Sequence, residues 1–154
     1  MKKNILLLFI VAIISNFGIC KASNVISKTE QPKSWTLLME KSGIQVFYKY
    51  ADCNDLKNGI FQEMVYLKIV NTTNLNVVLD WDLKTWINNE CSNCTNNSKE
   101  HHFSIKVNAG DFKSGSCETR SEFRELAIFS RFLNMENKYL LTKFSLENFT
   151  VKPL

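Results

Sequence analysis

Apolar and polar residues alternate with a period of two through most of the chain. Ile44, Val46, Tyr48 and Tyr50 alternate with Gln45, Phe47 and Lys49, and Val65, Leu67 and Ile69 with Tyr66 and Lys68. In "NVVLDWDLKTW", Val77, Leu79, Trp81 and Leu83 alternate with Val78, Asp80, Asp82 and Lys84. Alternation of this kind puts one set of side chains on each face of a strand, so each segment predicts a half-buried β-strand, with Trp81 central to the core. The pattern predicts strands at Trp35–Glu40, Ile44–Tyr50, Phe61–Val70, Asn76–Trp86, Phe103–Val107, Phe112–Ser116, Ala127–Leu133 and Leu140–Val151. Lys41-Ser42-Gly43, Asn71 to Asn74 and Gly110-Asp111 supply turns between them.

Two segments depart from simple alternation. Along the last strand the apolar phase shifts from Phe144 and Leu146 to Phe149 and Val151, which predicts a β-bulge near Glu147-Asn148. In "SEFRELAIFSRFL", Phe123, Leu126, Ala127 and Ser130 also fit helical spacing, but the aromatic-rich second half favours a strand.

The first residues follow a different pattern. Lys2 and Lys3 precede an unbroken apolar run from Ile5 to Ile14, and small residues follow at Ala22 and Ser23. This is the layout of a secretory signal peptide over 1–22. The apolar run is too short for the roughly 20 residues that span a bilayer, so no membrane span is expected after cleavage. A lipoprotein reading would retain Cys20 as an acylated first residue, but bulky Ile19 precedes it where a small residue is expected. Residues 23–34, including "NVISKTEQPKS", read as a polar linker, and 35–154 as one domain large enough for a real core.

Cleavage alters both charge and cysteine arithmetic. The chain has 19 basic and 15 acidic side chains, and the leader holds Lys2, Lys3 and Lys21 but no acid, which leaves a net charge of about +1. No nucleic-acid partner is implied. Five cysteines become four, Cys53, Cys91, Cys94 and Cys117, an even number suited to disulfides in an oxidising compartment. If successive strands are antiparallel, all four fall at one end of the domain. The favoured pairing is Cys53 with Cys117 and Cys91 with Cys94. The other readings are a metal site built from Cys91, Cys94, Cys53 and Cys117, with His101 or His102 as a substitute ligand, and a redox-active Cys91/Cys94 pair. No βαβ pattern surrounds that pair, and Glu90 would raise a neighbouring thiol pKa.

Short strands with regular turn signals read as an all-β, two-sheet antiparallel sandwich of about seven to eight strands. Through "YLKIVNTTNLNVVLDWDL" the chain resembles immunoglobulin-like β-sandwiches. Through "GIFQEMVYLKIVNTTN", "CSNC" and "LTKFSLENFTV" it is similar to small exported proteins of uncharacterised function from Bacteroidota-type bacteria. That resemblance implies a fold and a compartment, secreted, periplasmic or cell-surface, and no activity.

No catalytic signature emerges. "GDFKSGS" lacks the spacing of a phosphate loop and no GxSxG elbow occurs. Asp80 and Asp82 share a strand face, with Cβ atoms about 7 Å apart, and read first as solvated carboxylates. Trp86 is out of phase with Trp81, which makes it a candidate outward-facing ligand contact with Tyr50 or Tyr66. Sequons stand at Asn71, Asn93, Asn96 and Asn148. The expectation is a secreted noncatalytic module that binds a protein or glycan or is a structural component, with no cofactor. The alternative is a thiol-redox or metal-handling protein using Cys91 and Cys94.

Overall fold

A computed structural model describes residues 31–95, 99–118, 122–136 and 138–154. The expected signal peptide over 1–22, Cys20, the first part of the expected linker and Asn96 lie outside them. Among the described residues there are nine strands: β1 (Thr36–Lys41), β2 (Ile44–Asp55), β3 (Ile60–Asn71), β4 (Val77–Ile87), β5 (Glu90–Cys91), β6 (His102–Val107), β7 (Phe112–Ser114), β8 (Ala127–Phe132) and β9 (Leu141–Pro153). Two single-turn 3-10 helices, Lys99–His101 and Arg124–Leu126, precede β6 and β8.

All pairings are antiparallel and form two sheets. In the first, β2 pairs along the whole of β3, from Ile44 with Asn71 to Asp55 with Ile60. Both β7, on Lys68 to Val70, and β8, on Gln62 to Tyr66, therefore occupy the other edge of β3. In the second sheet β4 is central, with β9 along its full length, while β6 and β5 share the opposite edge. The two-sheet sandwich is as expected, with nine strands rather than seven or eight. The strand order, β1-β2-β3 followed by β7 and β8 against β9-β4-β6, is not that of an antibody constant domain.

The inner faces carry the alternating sets read from the sequence. Ile44, Val46, Tyr48 and Tyr50 meet Val65, Leu67 and Ile69 within the first sheet, and pack against Val77, Leu79, Trp81 and Leu83 of the second. Trp81 is 1% exposed, with the Phe103 ring centroid at 5.9 Å and that of Phe149 at 6.3 Å. Burying aromatic and branched side chains on both inner faces supplies the main driving force for folding, roughly 25 cal/mol per Å² removed from water.

The departures from alternation have local causes. Between Asp80, opposite Thr150, and Asp82, opposite Glu147, β9 carries the predicted bulge, with Asn148 in the left-handed region at φ 52°. The helical spacing before Ala127 corresponds to the single turn Arg124–Leu126, after which the chain is strand. Beyond Ser114 the chain leaves the regular ladder, although the Gly115 N–H still donates to the Leu67 carbonyl at 2.9 Å. At the other terminus the Pro32 carbonyl accepts the Tyr50 N–H at 2.8 Å, so the last linker residues already pack against β2.

A smaller apolar cluster lies on the outer face of the first sheet. Cys53, Met64 and Tyr66 pack there with Trp35, Ala51, Cys117, Ala127 and Phe129. Cys117, from the connection between β7 and β8, packs onto this face.

Candidate binding surfaces

All four cysteines of the domain are bonded in pairs. Cys53 is joined to Cys117 across 64 positions, with Cα atoms 5.4 Å apart, and Cys91 to Cys94 with Cα atoms 5.6 Å apart. The strands β2 and β4 end on the same side of the molecule, but the bridges belong to different sheets: one pins the β7–β8 connection, the other closes a loop beside β4. The four thiols therefore do not assemble the metal-ligand set of Cys91, Cys94, Cys53 and Cys117. Among the described residues no three His, Cys, Asp or Glu side chains are grouped to hold a metal ion, and His102 Nδ1 lies instead 2.8 Å from Asp82 Oδ1.

The Cys91–Cys94 loop has a structural task that its sequence conceals. β6 begins opposite Asp82, which leaves the backbone of Leu83 to Thr85 without a strand on that edge. Asn93 fills the gap with its side chain. Its Nδ2 donates to the Leu83 carbonyl at 2.7 Å and its Oδ1 accepts the Thr85 N–H at 3.1 Å, so one primary amide takes the place of a peptide group. At 3% exposure, Asn93 is a ladder element rather than an accessible sequon. Asn71 is buried too, with its amide spent on the carbonyls of Leu75 and Asn108 and on the Thr73 N–H. Asn148 is exposed and donates to Asp82 at 2.6 Å.

Trp86, Tyr50 and Tyr66 do not form a common platform. Trp86 faces outward from the second sheet, as its phase implies, but Lys143 Nζ sits 3.9 Å from its ring centroid. Tyr50 is in phase with Val46 and lies in the inter-sheet core, where burial, reinforced by Tyr48 and Glu63, pushes its hydroxyl pKa up to about 12. Tyr66 is on the outer face of the opposite sheet, 2% exposed in the cluster that includes Cys117. Alternation correctly separates faces, but it does not reveal what covers them.

Asp80 and Asp82 line the outer face of β4, each with partners. Lys152 Nζ is 2.9 Å from Asp80 Oδ2, and with Ser104 it holds that carboxyl below the ordinary aspartate range. Asn148 and then His102 do the same for Asp82. These are carboxylates held ionised by hydrogen-bond donors, not a pair sharing a proton.

A different region carries the largest concentration of exposed apolar side chains. The β2–β3 turn and the β8–β9 connection lie side by side, tied by Leu133 N–H to the Phe61 carbonyl at 2.8 Å and by Asn134 Nδ2 to the Gly59 carbonyl at 3.5 Å. Asp55 caps the first turn through Asn58, and Gly59 adopts φ 65°. The second is anchored by Asn88, whose Nδ2 donates to the Lys138 carbonyl at 2.8 Å. Together they present Leu56, Ile60, Leu133, Met135 and Tyr139, with Leu56, Met135 and Tyr139 all more than half exposed. A cavity of about 420 Å³ opens there between Phe132, Met135, Glu136, Lys138 and Tyr139. Asp55, Lys57, Glu136 and Lys138 surround the patch with balanced charge.

Sequence reasoning did not single out this end. Its signal is an apolar side chain set inside turn chemistry, as in "DLKNGI" and "NMENKY", where no period points to a core. Compared with protein-family models, curated proteins and solved structures, the chain has no match.

Proposed function

We propose that this chain is an exported, disulfide-stapled, noncatalytic recognition module that binds another protein through the apolar end formed by the β2–β3 and β8–β9 connections. The leader pattern of 1–22 and the two disulfides support an extracytoplasmic location. The observation that carries the reading is the gathering of exposed Leu56, Ile60, Leu133, Met135 and Tyr139 on two adjoining connections at one end, because large apolar side chains concentrated on the surface of a folded domain mark an interaction site.

The chemistry of this end favours a protein partner. Met and Tyr in a cavity, ringed by equal numbers of acids and bases, match the anchor-and-rim composition of protein interfaces. An anionic membrane would call for a basic excess that Asp55 and Glu136 cancel. A glycan platform would use an open aromatic face, and the outward Trp86 is covered by Lys143.

The test places a photo-cross-linking residue at Met135 and, as control, at Lys152, in the exported protein within its native cell. A discrete adduct formed from Met135 and not from Lys152 is expected. Binding of the purified adduct partner should then weaken by about 30-fold or more in the combined Leu56→Ser, Met135→Ser, Tyr139→Ser variant. Equal cross-linking from both positions, or equal affinity of the variant, refutes the assignment.

A further inference from the structure

A second and larger cleft, of about 780 Å³, lies at the edge where β8 faces the start of β6. One side is the outer face of the first sheet, with Gln62, Met64, Ala127 and Phe129. The other is formed by Glu100, His101 and Phe103, and Arg124 stands at the rim. The two 3-10 turns therefore bring charged side chains from both sheets to one opening.

Two features point to a ligand. Gln62 is only 8% exposed and lines the cleft, yet its side-chain amide makes no hydrogen bond to any described residue. Its polar atoms are not sealed from solvent, and they line a space large enough for a small organic molecule. Arg124 is the second feature: its guanidinium has no ion pair or hydrogen bond among the described residues, whereas Glu100 across the cleft is already engaged.

The geometry points to a binding site for a small organic carboxylate with an apolar aryl or alkyl body. A single guanidinium presents two parallel N–H groups, the fork that fits one carboxylate. Met64, Phe103 and Phe129 offer an apolar and aromatic lining for the body of the ligand, and His101 adds a further polar contact near the anion. Gln62 supplies a donor and an acceptor on the floor, suited to a hydroxyl or amide along the ligand. The turn that carries Arg124 packs tightly on the chain beneath it, because a Cβ at Gly115 would clash with the Leu126 carbonyl oxygen. This close approach sets the wall of the cleft and does not depend on the partner surface at the loop end.

The experiment titrates the disulfide-bonded protein with phenylbutyrate, octanoate and the uncharged phenylbutyramide, reading heat and backbone amide chemical shifts. For ligands of this size a single saturable site with Kd on the order of 1 mM or below is expected. Its shifts should centre on Gln62, Met64 and Phe129, and the amide should bind about tenfold or more weakly. Arg124→Gln, an exposed change that leaves the core intact, should weaken phenylbutyrate by about tenfold. Gln62→Leu should weaken it less, and if that buried variant fails to fold, Arg124→Gln and the shift map decide. Absence of saturable binding by either carboxylate overturns the site. So does equal binding of the amide, an unchanged Arg124→Gln variant, or shifts centred on Met135 and Tyr139.

Discussion

Asn71 ends β3 and holds three segments with one side chain. Its Nδ2 donates to the Leu75 carbonyl at 2.8 Å and to the Asn108 carbonyl at 3.0 Å, and its Oδ1 accepts from the Thr73 N–H and hydroxyl. The β3–β4 and β6–β7 turns are thereby tied together at a fully buried point. Removing a buried amide strands the groups it served, so Asn71→Ala should lower unfolding free energy by about 2–3 kcal/mol, read from urea denaturation. Asn71→Asp should cost at least as much, because an ionised carboxylate cannot donate to the two carbonyls and loses solvation on burial. If Asp is tolerated while Ala is not, volume rather than hydrogen bonding is what the site requires. The sequon at this position gave no hint of that role: the same Asn-x-Thr that predicts a turn is also the geometry in which Asn71 bonds Thr73.

The strands show where a period of two is informative. β2, β3, β4 and β9 were legible because each carries four or more alternating positions, and the β9 bulge was legible as a break in phase. β5 was not, since two residues have no period and pair only through Trp86–Cys91 and Ile87–Glu90. The extension of β2 to Asp55 was also hidden, because three of its four residues, Asp52, Asn54 and Asp55, are polar and the segment is held in register by Glu63, Gln62, Phe61 and Ile60 of β3. Irregularities interrupt β1 between Leu37 and Met39, β8 beside Glu63 and β9 at two points, and Lys41 donates to the Phe149 carbonyl on β9. Such bulges and lysines deter strand addition at sheet edges. On the outer face of β4, Asp80 and Asp82 add a pH dependence of known sign. Their folded-state pKa values are lowered, so their stabilising contribution is complete above the ordinary value of 3.8 and is lost as pH falls through the lower folded values. The Asp80→Asn, Asp82→Asn double variant should therefore show a flatter loss of stability than the parent between about pH 4 and pH 2, measured by urea midpoints. Parallel acid limbs in the two proteins would exclude these carboxylates as the source.

At the scale of the molecule, the two disulfides do different things. Cys53–Cys117 ties β2 to the β7–β8 connection and sits in the outer-face cluster with Tyr66 and Met64. Cys91–Cys94 closes a tight loop whose Asn93 completes the edge of β4. In the chain-entropy model a loop of 64 positions restricts the unfolded state by about 4 kcal/mol and a loop of three by about 2 kcal/mol. The contrast in burial acts in the same direction, since Cys53 is 5% exposed and Cys94 lies at the surface. Replacing both members of each bridge avoids leaving an odd thiol. The Cys53→Ser, Cys117→Ser variant should lose more melting temperature than Cys91→Ser, Cys94→Ser, by several degrees in a domain of this length. It should also expose the cluster around Met64 to solvent, seen as faster amide exchange in β8, where the short-loop variant should exchange faster only at Leu83 to Trp86. Equal losses of melting temperature would mean that the hydrogen bonds of Asn93, released with the short loop, match the entropy of the long one. Retention of protection throughout β8 would show that the outer-face cluster holds by packing alone.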